Sequence, residues 1–150
     1  METSEEQNGY LISDNRNRLQ VPVIHRFLCN EAYWSPGIPL HIVEKAIAHS
    51  FCIGVYHGEA QVAFARVVTD YATYGWLCDV FVLNEHRGRG ISKWMMEFIM
   101  NHPDVQGFRS WFLGTKDAHG LYTQFGFRPL DDPSRFLAIR KPGIYQNPGE

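Results

Sequence analysis

Asp79-Val80-Phe81-Val82-Leu83-Asn84-Glu85-His86-Arg87-Gly88-Arg89-Gly90-Ile91-Ser92-Lys93-Trp94-Met95 is the stretch on which the reading of this chain turns. An apolar strand runs into a short basic turn with two glycines, and the turn opens a helix. The first N–H groups of a helix have no partner inside it, and the helix dipole places about half a positive charge at that end. Such an end suits a phosphate or pyrophosphate. Gly88 and Gly90 let the backbone approach a ligand with no Cβ in between. Arg87, Arg89 and Lys93 add positive charge beside the N–H groups. A nucleoside-triphosphate loop would end in Gly-Lys-Ser/Thr, which is absent here. A dinucleotide fingerprint would need a third glycine where Lys93 stands, and would open the fold, whereas this turn lies past the middle of the chain.

Outward from this stretch the periodicity alternates between helix and strand. Gly90–Asn101 predicts an amphipathic helix with Ile91, Trp94, Met95, Phe98 and Ile99 on one face. Upstream, Trp76–Leu83 predicts a strand. Phe51–Tyr56 and Gln61–Val68 predict two more, joined by a hairpin turn at His57-Gly58-Glu59-Ala60. Pro22 opens a first helix carrying Val23, Ile24, Phe27 and Leu28. A Pro- and Gly-punctuated loop, Glu31–Pro39, follows with Tyr33 and Trp34 near its start, then a second helix over 39–49. Tyr10–Ser13 predicts a first strand, and residues 1–9 read as a flexible tail. Downstream, Ser110–Leu113 predicts a strand and Lys116–Phe125 a helix closed by Gly126. Phe127 and Phe136–Ile139 predict the last strands. The order describes one mixed sheet with helices, α/β or α+β. The segment beyond Ile139, with Pro142, Gly143 and Pro148, is placed to cover an edge strand or to reach a neighbour.

A chain of 150 residues fits one domain, here residues 10–150 after the tail, with no repeat or linker dividing it. A domain this long buries roughly two thirds of the surface its unfolded chain exposes, so it needs neither disulfide nor metal. Cys29, Cys52 and Cys78 each sit in an apolar run and form no Cys-x-x-Cys pair, as core cysteines do. The formal net charge of −2 argues against nucleic acid and anionic membrane as partners. No apolar run reaches membrane-spanning length, and the polar, acidic start is unlike a signal peptide, so a cytoplasmic location is expected. The seven histidines include no metal-binding spacing, and no metal is expected.

The sequence resembles the GNAT superfamily of N-acetyltransferases at two places. Arg87-Gly88-Arg89-Gly90-Ile91-Ser92 matches that family's Arg/Gln-x-x-Gly-x-Gly/Ala loop, with Ser92 a compact departure at its last position. Lys116-Asp117-Ala118-His119-Gly120-Leu121-Tyr122-Thr123-Gln124-Phe125-Gly126-Phe127 resembles the late helix that ends in Tyr-x-x-Phe-Gly-Phe. The resemblance spans roughly residues 10–140. It implies a single-domain fold with a mixed, largely antiparallel central sheet flanked by helices, and acetyl-CoA as co-substrate held by residues 87–93. It also implies transfer of the acetyl group to an amine by direct attack, with no covalent enzyme intermediate.

The resemblance further assigns roles. The backbone of Val80, Phe81 and Val82 would pair with the pantetheine arm and help donate to the developing oxyanion. Tyr122 matches the family's catalytic tyrosine. A phenol with a pKa of about 10 is protonated at neutral pH and can protonate the leaving thiolate. A lysine-like amine, with a pKa of about 10.4, must lose a proton before attack. Asp79 is the first candidate to assist, with Glu85 and Asp70 behind it; strand alternation sets Asp79 with Phe81 and opposite Val80. Tyr33, Trp34, Asp70 and Tyr74 are candidate linings of a pocket for a small-molecule amine, since aromatic faces attract cations. Two other readings stay open: an acyl-CoA-binding regulatory module without catalysis, and an acetyltransferase acting on protein or peptide amines. The acceptor's identity, the acyl length and homodimer formation are not specified.

Overall fold

A computed structural model describes residues 1–146; Pro148 lies outside the described residues. The elements in chain order are β1 (Ser4–Gln7), β2 (Tyr10–Ser13), α1 (Val21–Asn30), α2 (Leu40–Ala48), β3 (Phe51–His57), β4 (Ala60–Thr69), β5 (Tyr74–Val82), α3 (Ile91–Asn101), β6 (Ser110–Leu113) and α4 (His119–Thr123). The six strands form one sheet in sequence order. Neighbours from β1 to β5 are antiparallel, and β6 joins β5 in parallel. The mixed, mostly antiparallel sheet flanked by helices is the expected fold class.

Strand alternation divides the core between two faces. Phe51, Ile53 and Val55 of β3 pack with Trp94, Met95, Phe98 and Ile99 of α3 and with Tyr122 of α4. Cys52, Phe64 and Phe81 point the other way, against Ile24, Phe27 and Leu28 of α1 and Val43 and Ile47 of α2. Phe27 stacks on Phe81 with ring centroids 4.0 Å apart. The three cysteines are free thiols; Cys52 is buried and the others are half-buried.

The structure corrects the sequence reading at both ends. Residues 4–7 are not tail but strand β1, joined to β2 by Asn8-Gly9, both at positive φ. Asn-Gly is the strongest two-residue hairpin signal. Every residue of β1 is exposed, so no apolar alternation announces it. Side chains hold it instead. Trp94 Nε1 donates to Glu5 at 3.1 Å, and Asp14 accepts from the Thr3 N–H at 2.8 Å while its other oxygen meets the ring of buried His102 at 2.7 Å. At the other end, the expected helix over 116–125 shortens to His119–Thr123, since Ala118 at φ −115° and ψ 26° stands outside the helical region and caps its start. Phe127 and Phe136–Ile139 form no strand, because no strand pairs with them among the described residues.

Buried acids set the pH response of the fold. Burial pushes the Cys52 thiol up to about 12 and the Cys78 thiol to about 11, and it also raises the Tyr56 phenol. These groups stay protonated in the native chain at pH values where the unfolded chain ionises. Their contribution is therefore intact below the unfolded thiol pKa of about 8.5 and is lost as pH rises toward the native values. Urea unfolding is expected to show stability flat from pH 7 to 8 and falling above 9, by up to about 1.4 kcal/mol per pH unit for each such group. A midpoint unchanged at pH 10.5 would contradict this.

Candidate active site

The site starts from a register slip in β5. Ala63 faces Val82 and Phe64 faces Phe81, but Arg66 faces Cys78, so Ala65 alone stands opposite Asp79 and Val80. This is a β-bulge, and Asp79 takes its left-handed conformation at φ 55°. Asp tolerates that region better than most residues. The bulge breaks alternation between Leu77 and Asp79. Leu77, Val80 and Val82 pack on the α3 side, whereas Asp79 and Phe81 point to the α1–α2 side. Bulges also bend a strand. The pairing of β5 with β6 ends at Leu77 and Leu113, leaving Cys78–Val82 with no strand on that edge among the described residues.

The basic turn lies at the end of this free edge. Asn84–His86 makes one turn of 3-10 helix, and Arg87 Nε donates back to the Val82 carbonyl at 2.9 Å. Gly88 and Gly90 both sit at φ 78°, where a side chain costs roughly 1–2 kcal/mol. Gly90 is the N-cap of α3 and brings no capping side chain, so the N–H groups of Ile91, Ser92 and Lys93 meet no acceptor among the described residues. Arg87, Arg89 and Lys93 are exposed around them. His86 accepts or donates through Nδ1 with the Tyr10 hydroxyl at 2.8 Å, which pins the turn to β2. Gln7, Asn8 and Tyr10 wall a hollow of about 240 Å³ beside Arg89 and Gly90. Nothing in the sequence reading connected the N-terminal hairpin with this loop.

The expected tyrosine stands on α4. Tyr122 is 8% exposed, and its hydroxyl makes no hydrogen bond among the described residues. Burial raises its phenol pKa, and the neighbouring Tyr33 and Asp117 add to the shift. Tyr33 and Trp34 are exposed rather than packed in the core. They pack edge to face at 5.1 Å, with Tyr33 beside Tyr122 and Trp34 beside Asp79. The Trp34 indole N–H donates to Asp79 Oδ1 at 2.8 Å, and Lys116 Nζ lies 5.0 Å from the centre of the Tyr33 ring.

Asp79 is not a free carboxylate. Its second oxygen accepts from Arg66 Nε at 2.8 Å, with both side chains largely buried, and Arg66 Nη1 donates to Ser50 Oγ at 2.9 Å. A carboxylate has about four acceptor directions, so room remains for an ammonium or a water. Arg66 was missed in the sequence, although a charge within the apolar run Ala63–Val68 requires a partner. Removing one member of a buried pair leaves the other unpaired. Asp79→Ala is expected to cost about 3 kcal/mol. It also frees Trp34, which should show as a shift in tryptophan emission. A denaturation midpoint equal to wild type would contradict the pairing.

Asp70 and Tyr74 are not brought to this cluster. They occupy the other end of β5, with Tyr74 about 17 Å from Asp79 by strand rise. Asp70 caps its own turn, accepting from the Thr73 hydroxyl at 2.6 Å and from the N–H groups of Thr73 and Ala72, and these bonds hold its carboxyl well below the usual range. The Tyr74 hydroxyl accepts from Arg109 Nε at 2.8 Å. Glu85 is exposed in the 3-10 turn. On the α1–α2 side, a hollow of about 240 Å³ does reach Asp79 and Arg66, between Trp34, Ile38, Val43 and Phe64.

The fold recurs in known proteins. The profile of the GNAT acetyltransferase domain matches residues 48–129. A crystal structure from Xanthomonas campestris pv. campestris, assigned to the GNAT acetyltransferases, superposes with a TM-score of 0.91 at 46% identity, covering 95% of this chain and 100% of that one. A Gibberella zeae protein assigned as an acetyltransferase is 30% identical over 112 residues, and the match spans 62% of this chain and 63% of that protein's length. At the level of fold, a Clostridium acetobutylicum protein solved with acetyl-CoA superposes with a TM-score of 0.63 at 17% identity, covering 93% of this chain and 96% of that one. With the profile covering more than half of its residues and a solved relative matched over its whole length, the chain belongs to the GNAT family of acetyl-CoA-dependent acetyltransferases.

Proposed function

We propose that this chain transfers an acetyl group from acetyl-CoA to the primary amine of a small acceptor, by direct attack with both molecules bound. The observation that carries the reading is that one chain holds three features suited to this reaction. These are the uncapped N-terminus of α3 at Gly90, the edge of β5 at Cys78–Val82 with no strand beside it among the described residues, and the buried phenol of Tyr122. The fit to acetyl-CoA rests on chemistry of matching order. The free N–H groups of Ile91–Lys93 and the basic side chains of residues 87–93 suit a pyrophosphate. The free strand edge suits the amides of a pantetheine arm, which can pair with it as a strand would.

When bound, acetyl-CoA supplies an acetyl group activated as a thioester. The chain's own residues do the rest. N–H groups at Val80–Val82 donate to the oxygen on which negative charge develops. Asp79 receives the incoming ammonium as a hydrogen-bond acceptor, beside the faces of Trp34 and Tyr33. The amine's proton leaves through water at Asp79. The Tyr122 hydroxyl, kept protonated by its burial, delivers a proton to the departing sulfur.

A small acceptor is favoured by the hollow at Asp79 and Arg66, whose volume of about 240 Å³ falls below the roughly 300–1,000 Å³ of sites for drug-sized ligands. The test is free-thiol release from acetyl-CoA against a panel of small primary amines, alongside lysine-containing and free N-terminal peptides. Turnover with small amines is expected. Turnover with peptides alone would move the reading to a protein or peptide acetyltransferase. Acetyl-CoA binding with turnover of nothing would move it to a regulatory module.

A further inference from the structure

Arg66 has more donors than the fold uses. Its Nε donates to Asp79 Oδ2 at 2.8 Å and its Nη1 to Ser50 Oγ at 2.9 Å. The third nitrogen, Nη2, meets no acceptor among the described residues. It is not sealed in the core either. There the Tyr56 hydroxyl is the one side-chain nitrogen or oxygen left without a partner among the described residues. Nη2 is therefore open to solvent, and the space beside the pair is the hollow of about 240 Å³ that Arg66 and Asp79 line together. Asp79 is likewise unfinished. One bond reaches each of its oxygens, from Arg66 and from Trp34, where each can accept two.

The hollow thus offers an anion acceptor and a cation donor side by side, since Nη2 belongs to the same planar guanidinium whose Nε rests on Asp79. A ligand that satisfies both must carry its own two charges side by side. An ammonium and a carboxylate on one carbon meet that condition. A diamine does not, and a peptide N-terminus has a neutral amide where the carboxylate is needed. Charge points the same way. Arg66 and Asp79 cancel, so a lone ammonium would bring an unbalanced positive charge up to a guanidinium in a largely buried place, whereas a zwitterion brings none. The rest of the hollow is apolar: Ile38, then Ile42, Val43 and Ile47 of α2, with Phe64 from the sheet. No other charged side chain lines it among the described residues.

We infer that the acceptor is a free α-amino acid with an apolar side chain, and that Arg66 is the residue that selects it. The carboxylate lies on Arg66 Nη2, the ammonium on Asp79, and the side chain among the α2 residues. This rests on the acetyl transfer proposed above and names its substrate class. The thioester C–S bond breaks and an amide C–N bond forms. Of the two protons that the ammonium gives up, one leaves to solvent through water at Asp79. The other balances the one that Tyr122 delivers to the sulfur.

The experiment is a calorimetric titration of the full chain, with free CoA present. The probes are L-leucine, L-methionine and L-phenylalanine. Each is compared with the amine left by removing its carboxyl group and with the acid left by removing its amino group. At least one amino acid should bind, and at least tenfold more tightly than either of its counterparts, the worth of one charged hydrogen bond. Amines that bind as well as their parent amino acids overturn the inference, as does a folded chain that binds none of the three. Arg66→Lys keeps a positive charge beside Asp79 but loses the planar fork. With wild-type circular dichroism, it should bring the preference for the amino acid over its amine to within threefold; an undiminished preference removes Arg66 from recognition. Binding is read without turnover. An amino acid that binds but is not acetylated counts against the proposed reaction and leaves the pocket assignment standing. Transfer to other amines, with no binding of the amino acids, does the reverse.

Discussion

Tyr122→Phe is expected to lower kcat for acetyl transfer by about a hundredfold, the lower end of what a positioned general acid contributes, and to leave the affinity for acetyl-CoA unchanged. The substitution removes one oxygen from a ring that stays packed against Phe127 at 6.1 Å. That oxygen has no hydrogen-bond partner among the described residues, so the variant should fold as stably as wild type. Because burial raises the phenol pKa, the proton is present across the neutral range. Activity due to this group is therefore retained below pH 10 and declines only as pH rises beyond the ordinary phenol value. Tyr122→Phe should lose that alkaline limb along with the rate. A variant with kcat within twofold of wild type would remove Tyr122 from the chemistry and leave it as packing.

Gly90→Glu is expected to abolish the stabilisation predicted for acetyl-CoA. A ligand at a hundred times its dissociation constant raises stability by about 2.7 kcal/mol. Wild type should therefore show a clear rise in thermal midpoint with acetyl-CoA, and the variant none. Two effects combine. A side chain at φ 78° strains the turn, and a carboxylate at the α3 N-terminus competes with phosphate for the N–H groups of residues 91–93. Space is not the cause, since a Cβ at Gly90 would meet nothing within 4 Å. Gly90→Ala separates the two effects, because it carries the strain without the charge. It should keep most of the acetyl-CoA response at lower intrinsic stability. Equal loss in both variants would mean that the loop conformation, not the anion site, was destroyed.

The centre of this molecule was legible because one stretch combined two strong signals: an apolar strand and a glycine-bearing basic turn into an amphipathic helix. The helical face Ile91, Trp94, Met95, Phe98 and Ile99 is buried as its spacing implies. The bulge at Asp79 was not legible, since it depends on how β4 and β5 align, and a one-residue slip leaves no mark in either strand alone. Arg66 was hidden for the same reason; only the register brings it to Asp79. Strand β1 was overlooked because it is held by charged and polar side chains, although Asn8-Gly9 announced its turn. At the other end, Phe136–Ile139 has the composition of a strand and no partner strand among the described residues, which no local pattern could reveal. Asp70 and Tyr74 were drawn into the expected site by residue type. Distance along β5 separates them from it.

The most direct test of the central claim is a calorimetric titration of the wild-type chain with acetyl-CoA, with free CoA as the comparison. Saturable binding of one equivalent per chain is predicted for both, since the site proposed at residues 87–93 and the free edge of β5 would meet groups the two share. A folded chain that takes up neither would contradict the account, and the turn at Arg87–Gly90 would then be a helix entry without a ligand.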